Sequence, residues 1–285
     1  MASALPHRQG RECYFYKSHP EKSSHMPKDL SDFLTPEPVL LRQGGPGFTI
    51  FGIDHLVLIV LSLAISFGIA LWYRHLPASN DGSLSRERRT LLLGASGAAL
   101  TILLLKDVSY VLLGIFEPLF WPLHICNFCE YAAFVYALRP DSRWGRRAAQ
   151  LLFCWGTVGL SAALFLPGWS PYCPAWSLAS LCGFAEHALG FGCALCLLVG
   201  GDYKPSPRYV WFVLAASVVG GVSFRILNPM LGTNFFFVTN PATVGPPGAM
   251  LVELFGDPGF LWVYLLLAFC LWAMLYGIWR MRNRT

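Results

Sequence analysis

Charged residues are scarce in this chain. Only 13% of its 285 residues are Asp, Glu, Lys or Arg, about half of the roughly 25% that is usual in soluble domains. Hydrophobic residues make up 55% and aromatic residues 15%, including ten tryptophans, which is typical of proteins anchored at membrane interfaces. The composition therefore excludes an ordinary cytosolic enzyme and indicates a polytopic membrane protein.

A basic domain and a disulfide framework are missing as well. The formal net charge is +5, but the excess Lys and Arg lie in short connections between apolar runs, as orientation signals do. This pattern excludes nucleic-acid binding. The nine cysteines are an odd number, and most lie inside apolar segments as small hydrophobes. We also predict no structural zinc and no cofactor, because the pairs Cys126/Cys129 and Cys193/Cys196 lie at different depths of apolar helices.

The domain organisation follows from the lengths of the apolar runs. Residues 1–50 are polar and contain prolines, which predicts a flexible tail without a secretory signal peptide, and Met26 is a plausible alternative start. Residues 51–285 are predicted to form an all-α domain of seven transmembrane helices, because about 20 apolar residues cross a bilayer core. The predicted spans lie near 53–73, 91–116, 119–138, 149–166, 178–199, 209–228 and 259–279.

The connections between the spans predict the orientation. Lys and Arg follow spans one, three, five and seven, whereas the connections 117–118, 167–177 and 229–258 contain neither. The positive-inside rule therefore places the N-terminus outside and the C-terminus in the cytoplasm. Glu117-Pro118 predicts a tight turn between spans two and three, and the interrupted apolar segment 229–258 predicts an outer lid or interfacial segment.

Polar residues inside the spans predict one pocket that opens outward. An intramembrane charge costs about 2.5–3.5 kcal/mol on insertion scales, so such residues are functional candidates. All of them fall in the outer half of the predicted spans or at their middle. The predicted pocket residues are His55, Lys106, Asp107, His124, Cys126, Asn127, Glu130, Glu186, His187, Arg225, Asn228 and Asn234.

Helical spacing gives some of these residues expected neighbours. His124 and Asn127 (i, i+3), like Cys126 and Glu130 (i, i+4), should share a face of span three. Glu186 and His187 are adjacent in sequence and should therefore point in different directions. His187 could act as a general base, metal ligand or proton relay, or could simply bond a neighbouring helix.

Ion pairing is the stronger interpretation for the charged residues at this depth. Lys106 and Asp107 are consecutive, so each should find its partner on another helix. The expected pairs are Arg225 with Asp107, or Lys106 with Glu130.

Three segments resemble a known family. Trp121–Cys126, Phe184–His187 and Leu231–Phe237, the last followed by Pro241, resemble the YwaF-like bacterial integral membrane family, which is related to animal transmembrane protein 164. The resemblance covers roughly residues 50–280. It implies a multi-pass plasma-membrane protein that transfers fatty acyl chains to lysophospholipids, as the animal member is described to do with a cysteine nucleophile and a histidine.

The resemblance also implies site residues. The animal Pro-Cys-His triplet matches Pro122-Leu123-His124, so its cysteine is absent here, whereas the histidine of span five carries over as His187. Cys126 would be a displaced nucleophile, or a histidine alone would act as general base. The predicted catalytic residues are His124, His187 and Cys126, with Asn127 or Lys106 stabilising the oxyanion.

Two other function classes remain open on the sequence. Seven spans around an outward polar pocket also suit a receptor-like protein that binds or transports a small molecule or a proton-coupled solute. Repeated halves and matched broken helices, which are typical of transporters, are absent from the sequence. A structural protein, in which the polar cluster only packs, is the third possibility. The predicted partners are membrane lipids.

Overall fold

A computed structural model describes residues 33–34, 47–79, 83–170, 173–244 and 246–282. The predicted N-terminal tail falls almost entirely outside these residues, as does Met26. The described part of the chain is helical, without β-strands. Its longer helices are α1 (Ile53–His75), α2 (Arg86–Leu112), α3 (Ile125–Leu138), α4 (Arg143–Phe165), α5 (Leu178–Val199), α6 (Pro207–Leu231), α7 (Pro246–Phe255) and α8 (Gly259–Arg282).

Six of these helices are long and apolar enough to cross a membrane, namely α1, α2, α4, α5, α6 and α8. The prediction of an all-α, multi-pass membrane protein is therefore confirmed. The boundaries of α1 and α5 fall within two residues of the predicted spans.

Local sequence signals set several helix ends. The hydroxyls of Ser85, Ser142 and Ser177 accept hydrogen bonds from backbone N–H groups three residues later and cap α2, α4 and α5. Helix α6 begins with Pro207, which suits a first turn, and is followed by Gly232 at φ +67°. Glycine adopts this left-handed conformation without the penalty that other residues incur.

Helix α3 is shorter than the span predicted over 119–138. It covers only 14 residues, Ile125–Leu138, or roughly 21 Å of rise. Residues Pro118–Phe120 form a separate 3-10 turn, and 121–124 are not helical. Pro118 and Pro122 explain the break, because proline lacks the N–H that a continuing helix needs. The predicted tight turn at 117–118 is therefore wrong, since the whole of 113–124 joins α2 to α3.

Helix α5 is the centre of the bundle and packs against α1, α2, α3 and α4. Within its most apolar stretch 72% of the residues are buried, against 6% for α8. Glycines permit this close packing: a Cβ at Gly190 would lie 2.9 Å from Leu160 of α4, and one at Gly192 would lie 2.9 Å from Ile69 of α1. Helix α8 thus lies at the periphery, where its apolar side chains suit contact with lipid.

Helix α4 is not α-helical throughout. Its middle, Leu152–Leu160, is a π-helix, in which each N–H bonds to the carbonyl five residues earlier. Gly156 and Gly159 lie within this segment. π-Helical turns are rare and are often found at functional sites.

The two ends of the bundle differ. The connections that follow α1, α3 and α5 meet at one end, here called the basic end, where Arg88 contacts Leu76, Gly200 and Asp202. At the opposite end, Phe48 N–H donates to the Ser170 carbonyl at 2.8 Å. That end holds residues 113–124, the described parts of 166–177 and of 232–258, and is here called the cavity end. The structure thus brings the basic connections to one side.

Candidate functional site

A cavity of about 760 Å³ lies at the cavity end, within the roughly 300–1,000 Å³ of typical ligand sites. Its walls come from helices α2, α3, α4, α5, α7 and α8, from the segment before α3, from the connection between α4 and α5, and from the loop after α6. Most of the lining side chains are apolar. Seven predicted site residues line it: Lys106, His124, Cys126, Asn127, Glu186, His187 and Asn234. The other five, His55, Asp107, Glu130, Arg225 and Asn228, lie outside this lining.

His187 has a defined orientation. Its Nδ1 lies 2.6 Å from the Gly183 carbonyl oxygen, one helical turn earlier in α5. Because a carbonyl only accepts hydrogen bonds, Nδ1 must carry a proton, and in the neutral imidazole this leaves a lone pair on Nε2. The side chain is buried against the cavity, with 6% of the residue exposed. His187 can therefore accept a proton from a group bound in the cavity.

Glu186 lies beside His187 rather than on an opposite face. Its Oε1 is 4.0 Å from His187 Nδ1 and 3.8 Å from Lys106 Nζ, and both glutamate and histidine line the cavity. The two residues, which the sequence predicts to point in different directions, thus border the same cavity. The other carboxylate oxygen, Oε2, is buried without a hydrogen-bond partner in the described part of the chain.

The ion pairs differ from those expected. Lys106 Nζ also lies 3.9 Å from Asp107 Oδ1, so Lys106 pairs with Glu186 and Asp107 instead of Glu130. Arg225 pairs with Asp257, just before α8, rather than with Asp107. The pairs Lys106–Glu186 and Arg225–Asp257 depend on how separate segments are placed, which the sequence does not show. Lys106 and Asp107 contact each other within α2, so the expectation that each pairs only with another helix is wrong.

Glu130 is enclosed between α3 and α5. It is fully buried, and a Cβ at Gly190 would lie 3.6 Å from its Cγ. Neither of its carboxylate oxygens has a hydrogen-bond partner of ordinary geometry among the described residues. Glu130 therefore lies behind the cavity wall rather than in contact with a ligand.

His124 lies at the start of α3. The Asn127 side-chain oxygen accepts a hydrogen bond from its backbone N–H at 3.1 Å, so the predicted i, i+3 neighbours form a helix cap. The His124 ring packs edge-on against Phe235, with ring centroids 5.0 Å apart, and lies 5.5 Å from Phe237. The cap and the two phenylalanines hold the imidazole at the cavity wall.

Cys126 lines the cavity, but Leu123 does not. Leu123 packs against the buried apolar cluster of Phe224, Phe235 and Val238. The position that matches the cysteine of the animal triplet is therefore part of the apolar packing in this chain, and Cys126 is the cysteine that borders the cavity.

Two asparagines organise the loop that closes the cavity. Asn228 bonds through its side chain to both backbone groups of Phe235 and to Thr233 and Thr239. Asn234 likewise bonds to Thr239, Asn240 and Thr243. The NH2 group and the oxygen of each amide form hydrogen bonds within the loop, so both side chains have a structural role.

The loop also holds strained backbone. Phe236 and Phe237 have φ of +59° and +54°, values that bulky residues rarely adopt. Phe236 stacks on Phe224 with ring centroids 4.9 Å apart, and a Cβ at Gly220 would lie 2.9 Å from its ring. Arg225 donates to the Val238 carbonyl at 2.6 Å. These contacts keep Phe237 in the cavity wall.

His55 is fully buried away from the cavity. Its Nδ1 accepts a hydrogen bond from Phe51 N–H at 2.8 Å, and its Nε2 donates to the Leu164 carbonyl at 3.0 Å. Both ring nitrogens are thus occupied by backbone groups. His55 joins α1 to the end of α4 and has no free atom for chemistry.

Sequence reasoning missed Trp169. This residue lines the cavity from the connection between α4 and α5, and its ring centroid lies 5.5 Å from that of His187. A search for ionisable residues in predicted spans cannot find it, because tryptophan is uncharged and lies between two spans. The sequence signal that could have indicated it is the presence of two tryptophans, Trp169 and Trp176, in the connection between α4 and α5.

A family profile matches most of this chain. The sequence profile of the TMEM164 family matches residues 50–276. No curated protein and no solved structure matches the chain. The family match confirms the predicted relation to transmembrane protein 164.

Proposed function

The chain belongs to the TMEM164 family, and from this premise we propose that it transfers fatty acyl chains from membrane phospholipids to lysophospholipids. The observation that carries the proposal is His187, whose Nδ1 is fixed by the Gly183 carbonyl and whose Nε2 remains free beside a largely apolar cavity. A general base needs such a free nitrogen, and an acyl chain needs apolar walls.

The proposed reaction is a direct transfer. His187 Nε2 takes the proton of the lysophospholipid hydroxyl while that oxygen attacks the ester carbonyl carbon of the donor phospholipid. The resulting tetrahedral intermediate expels the glycerol oxygen of the donor, and the imidazolium returns its proton to this oxygen. One ester bond forms, one breaks, and no other reactant is needed.

Glu186 and Lys106 support this step. The Glu186 carboxylate oxygen lies 4.0 Å from His187 Nδ1, where a negative charge favours the imidazolium that forms during transfer. Lys106 pairs with the same carboxylate at 3.8 Å. Such buried charges need partners, so Lys106 keeps Glu186 ionised beside the base.

We assign Cys126 a packing role in this reaction. A nucleophilic thiolate forms most readily beside a cation or an imidazolium. Cys126 instead lies one helical turn before the carboxyl group of Glu130 on α3. A thioester on Cys126, formed with help from His124 or His187, is the competing mechanism.

The proposal includes a topology. We propose that α3 is a seventh crossing, because Arg89 at the basic end donates to the carbonyl of Leu138 at 2.6 Å while His124 packs at the cavity end. The positive-inside rule then places the basic end in the cytoplasm and the cavity toward the outer leaflet. The proposed location is the plasma membrane, and the proposed branch of the family is the YwaF-like one.

The test is acyl transfer by the full chain in nanodiscs. Labelled phosphatidylcholine and lysophosphatidylcholine are supplied, and products are read by mass spectrometry. His187→Gln is expected to reduce the rate by about 10²–10⁴-fold, the usual contribution of general acid–base catalysis. Cys126→Ala is expected to retain the rate within about threefold, because no covalent step passes through it in this mechanism.

His75→Gln is the matched control, since His75 is exposed at the end of α1, far from the cavity lining. Thermal unfolding of each variant verifies that it folds. Loss of product in Cys126→Ala would replace direct transfer by the thioester mechanism. The absence of product from folded wild-type protein would overturn the acyltransferase proposal in favour of ligand binding or transport.

A further inference from the structure

Trp169 packs beside the proposed base. It lies in the connection between α4 and α5, with its ring centroid 5.5 Å from that of His187. The ring also packs edge-on against Phe184, at 5.6 Å. Both neighbours belong to the central helix α5, so the indole has a fixed position relative to the cavity.

Gly183 determines the position of both rings. A Cβ at this residue would lie 3.0 Å from Cζ2 and 3.3 Å from Cε2 of Trp169, so the indole packs directly on the backbone of α5. The carbonyl of the same residue accepts the hydrogen bond from His187 Nδ1 at 2.6 Å. A single glycine therefore brings the indole and the imidazole together at the cavity.

The indole N–H of Trp169 has no acceptor among the described residues, although its nitrogen is buried. Buried indole N–H groups usually find a partner. Trp155 donates to Ser217 at 3.1 Å, and Trp176 donates to Asp54 at 3.0 Å. Trp272 also lacks an acceptor in the described chain, but it lies on α8 outside the cavity lining. Trp169 thus combines an indole N–H that has no acceptor in the described chain with a side chain that lines the cavity.

We infer that Trp169 is a further catalytic residue, whose indole N–H donates a hydrogen bond to the ester carbonyl oxygen as that oxygen becomes negatively charged. The inference rests on the proposed acyl transfer. When the lysophospholipid oxygen attacks the carbonyl carbon, the electron pair of the C=O bond moves to the oxygen, and the proton passes to His187 Nε2. A fixed donor at this oxygen stabilises the intermediate until the glycerol oxygen leaves.

This assignment adds a donor to the two expected from the sequence. The Asn127 side-chain oxygen is an acceptor that caps α3 at His124, and the Lys106 ammonium lies 3.8 Å from Glu186 and 3.9 Å from Asp107. Trp169, in contrast, presents a donor that no residue of the described chain occupies.

The kinetic test is Trp169→Phe, which keeps an aromatic ring and removes the N–H. Loss of one oxyanion donor is expected to lower kcat by about 100-fold. KM should remain within about twofold, because the bond strengthens only as charge develops. Trp176→Phe is the matched control: it removes an indole N–H that bonds to Asp54 rather than lining the cavity. An unchanged kcat in folded Trp169→Phe would overturn the inference while leaving acyl transfer intact.

A second readout does not depend on turnover. In protein labelled with ¹⁵N-tryptophan, the resonance absent from Trp169→Phe identifies the indole of Trp169. Adding a palmitoyl phosphonate analogue of phosphatidylcholine, whose anionic oxygens resemble the intermediate, is expected to move this resonance downfield. A resonance that does not move would overturn the inference. If it moves while the wild-type protein makes no product, Trp169 remains the donor in a lipid site and the proposed transferase activity fails.

Discussion

The two ends of the bundle use buried polar groups in opposite ways. At the basic end, Arg88 donates to the carbonyls of Leu76 and Gly200 and to both carboxylate oxygens of Asp202. Tyr203 donates to Gln150, and burial raises the pKa of the Tyr203 hydroxyl well above its usual range, so it stays a donor. These groups satisfy one another and close this end of the bundle.

At the cavity end, some buried polar side chains have donor or acceptor atoms without a hydrogen-bond partner in the described chain. The Trp169 N–H and Glu186 Oε2 are buried without a hydrogen-bond partner in the part of the chain described, and His187 keeps Nε2 free. An unsatisfied buried group costs roughly 1–3 kcal/mol. Burial of polar groups alone therefore does not indicate a functional site. Buried donors and acceptors that have no partner beside a cavity do indicate one.

The largest expected effect on stability comes from opening the basic end. Arg88→Met removes every bond of the guanidinium and leaves the Asp202 side chain, only 4% exposed, without its cation. Breaking a buried pair in this way costs about 3–5 kcal/mol. We expect a much lower unfolding temperature in detergent, with acyl transfer per folded molecule unchanged.

Arg86→Met is the control for this substitution, because Arg86 is exposed on the same turn of α2. Its effect should stay within about 0.5 kcal/mol. Adding Asp202→Asn to Arg88→Met should recover part of the lost stability, since no buried charge then remains unpaired. Equal stability of Arg88→Met and wild type would show that the basic end is not held by this residue.

A smaller effect is expected from the satisfied histidine of the cavity end. His55→Leu leaves the Leu164 carbonyl and the Phe51 N–H without their partner, at a cost of about 1–3 kcal/mol. Activity per folded molecule should remain, in contrast to His187→Gln. The measurement pairs thermal unfolding with the lipid assay. If His55→Leu lost as much activity as His187→Gln, the assignment of a purely structural role to His55 would be wrong.

The smallest effect on stability is expected at Gly159, in the cavity wall. A Cβ there would meet no heavy atom within 4 Å, so Gly159→Leu should fill the cavity without a clash. Transfer of oleoyl chains should fall roughly tenfold relative to octanoyl chains, in line with the discrimination of hydrophobic pockets by size. Equal losses for the two chain lengths would argue against an acyl chain beside Gly159.

Gly156→Leu provides the comparison from the same helix. A Cβ at Gly156 would lie 2.7 Å from Leu152 and 3.3 Å from Ala194 of α5. The larger side chain should therefore reduce the yield of folded protein for every substrate alike.

The long helices could be predicted from the sequence because their signal is local. Apolar length and the polar residues that flank it gave α1 and α5 within two residues. Helix α2 instead starts at Arg86, five residues before the predicted span, because Ser85 caps a helix that includes its basic first turn. The span predicted over 119–138 from apolar length alone was too long for α3, because Pro118 and Pro122 interrupt the helix.

The candidate site could be predicted only in part. The search for ionisable residues in apolar segments selected Lys106, Glu186 and His187, and these three residues line one cavity. The sequence could not show that both ring nitrogens of His55 form hydrogen bonds with backbone groups, since Leu164 is 109 residues away. Trp169 depends equally on a distant glycine, and no pattern within a single span contains that information.

The shape of the cavity wall formed by α4 depends on the number of residues in its π-helical segment. The π-helical segment Leu152–Leu160 accommodates more residues per turn than an α-helix, and at Ser161 the chain returns to α-helical phase. Ala162 and Ala163 then line the cavity, while Leu164 is buried elsewhere. Deleting one residue from this segment would remove a residue that the wider π-helical turns absorb, and would therefore change which of its side chains face the cavity. Such a deletion would change the shape of the cavity without replacing any of the polar residues that line it.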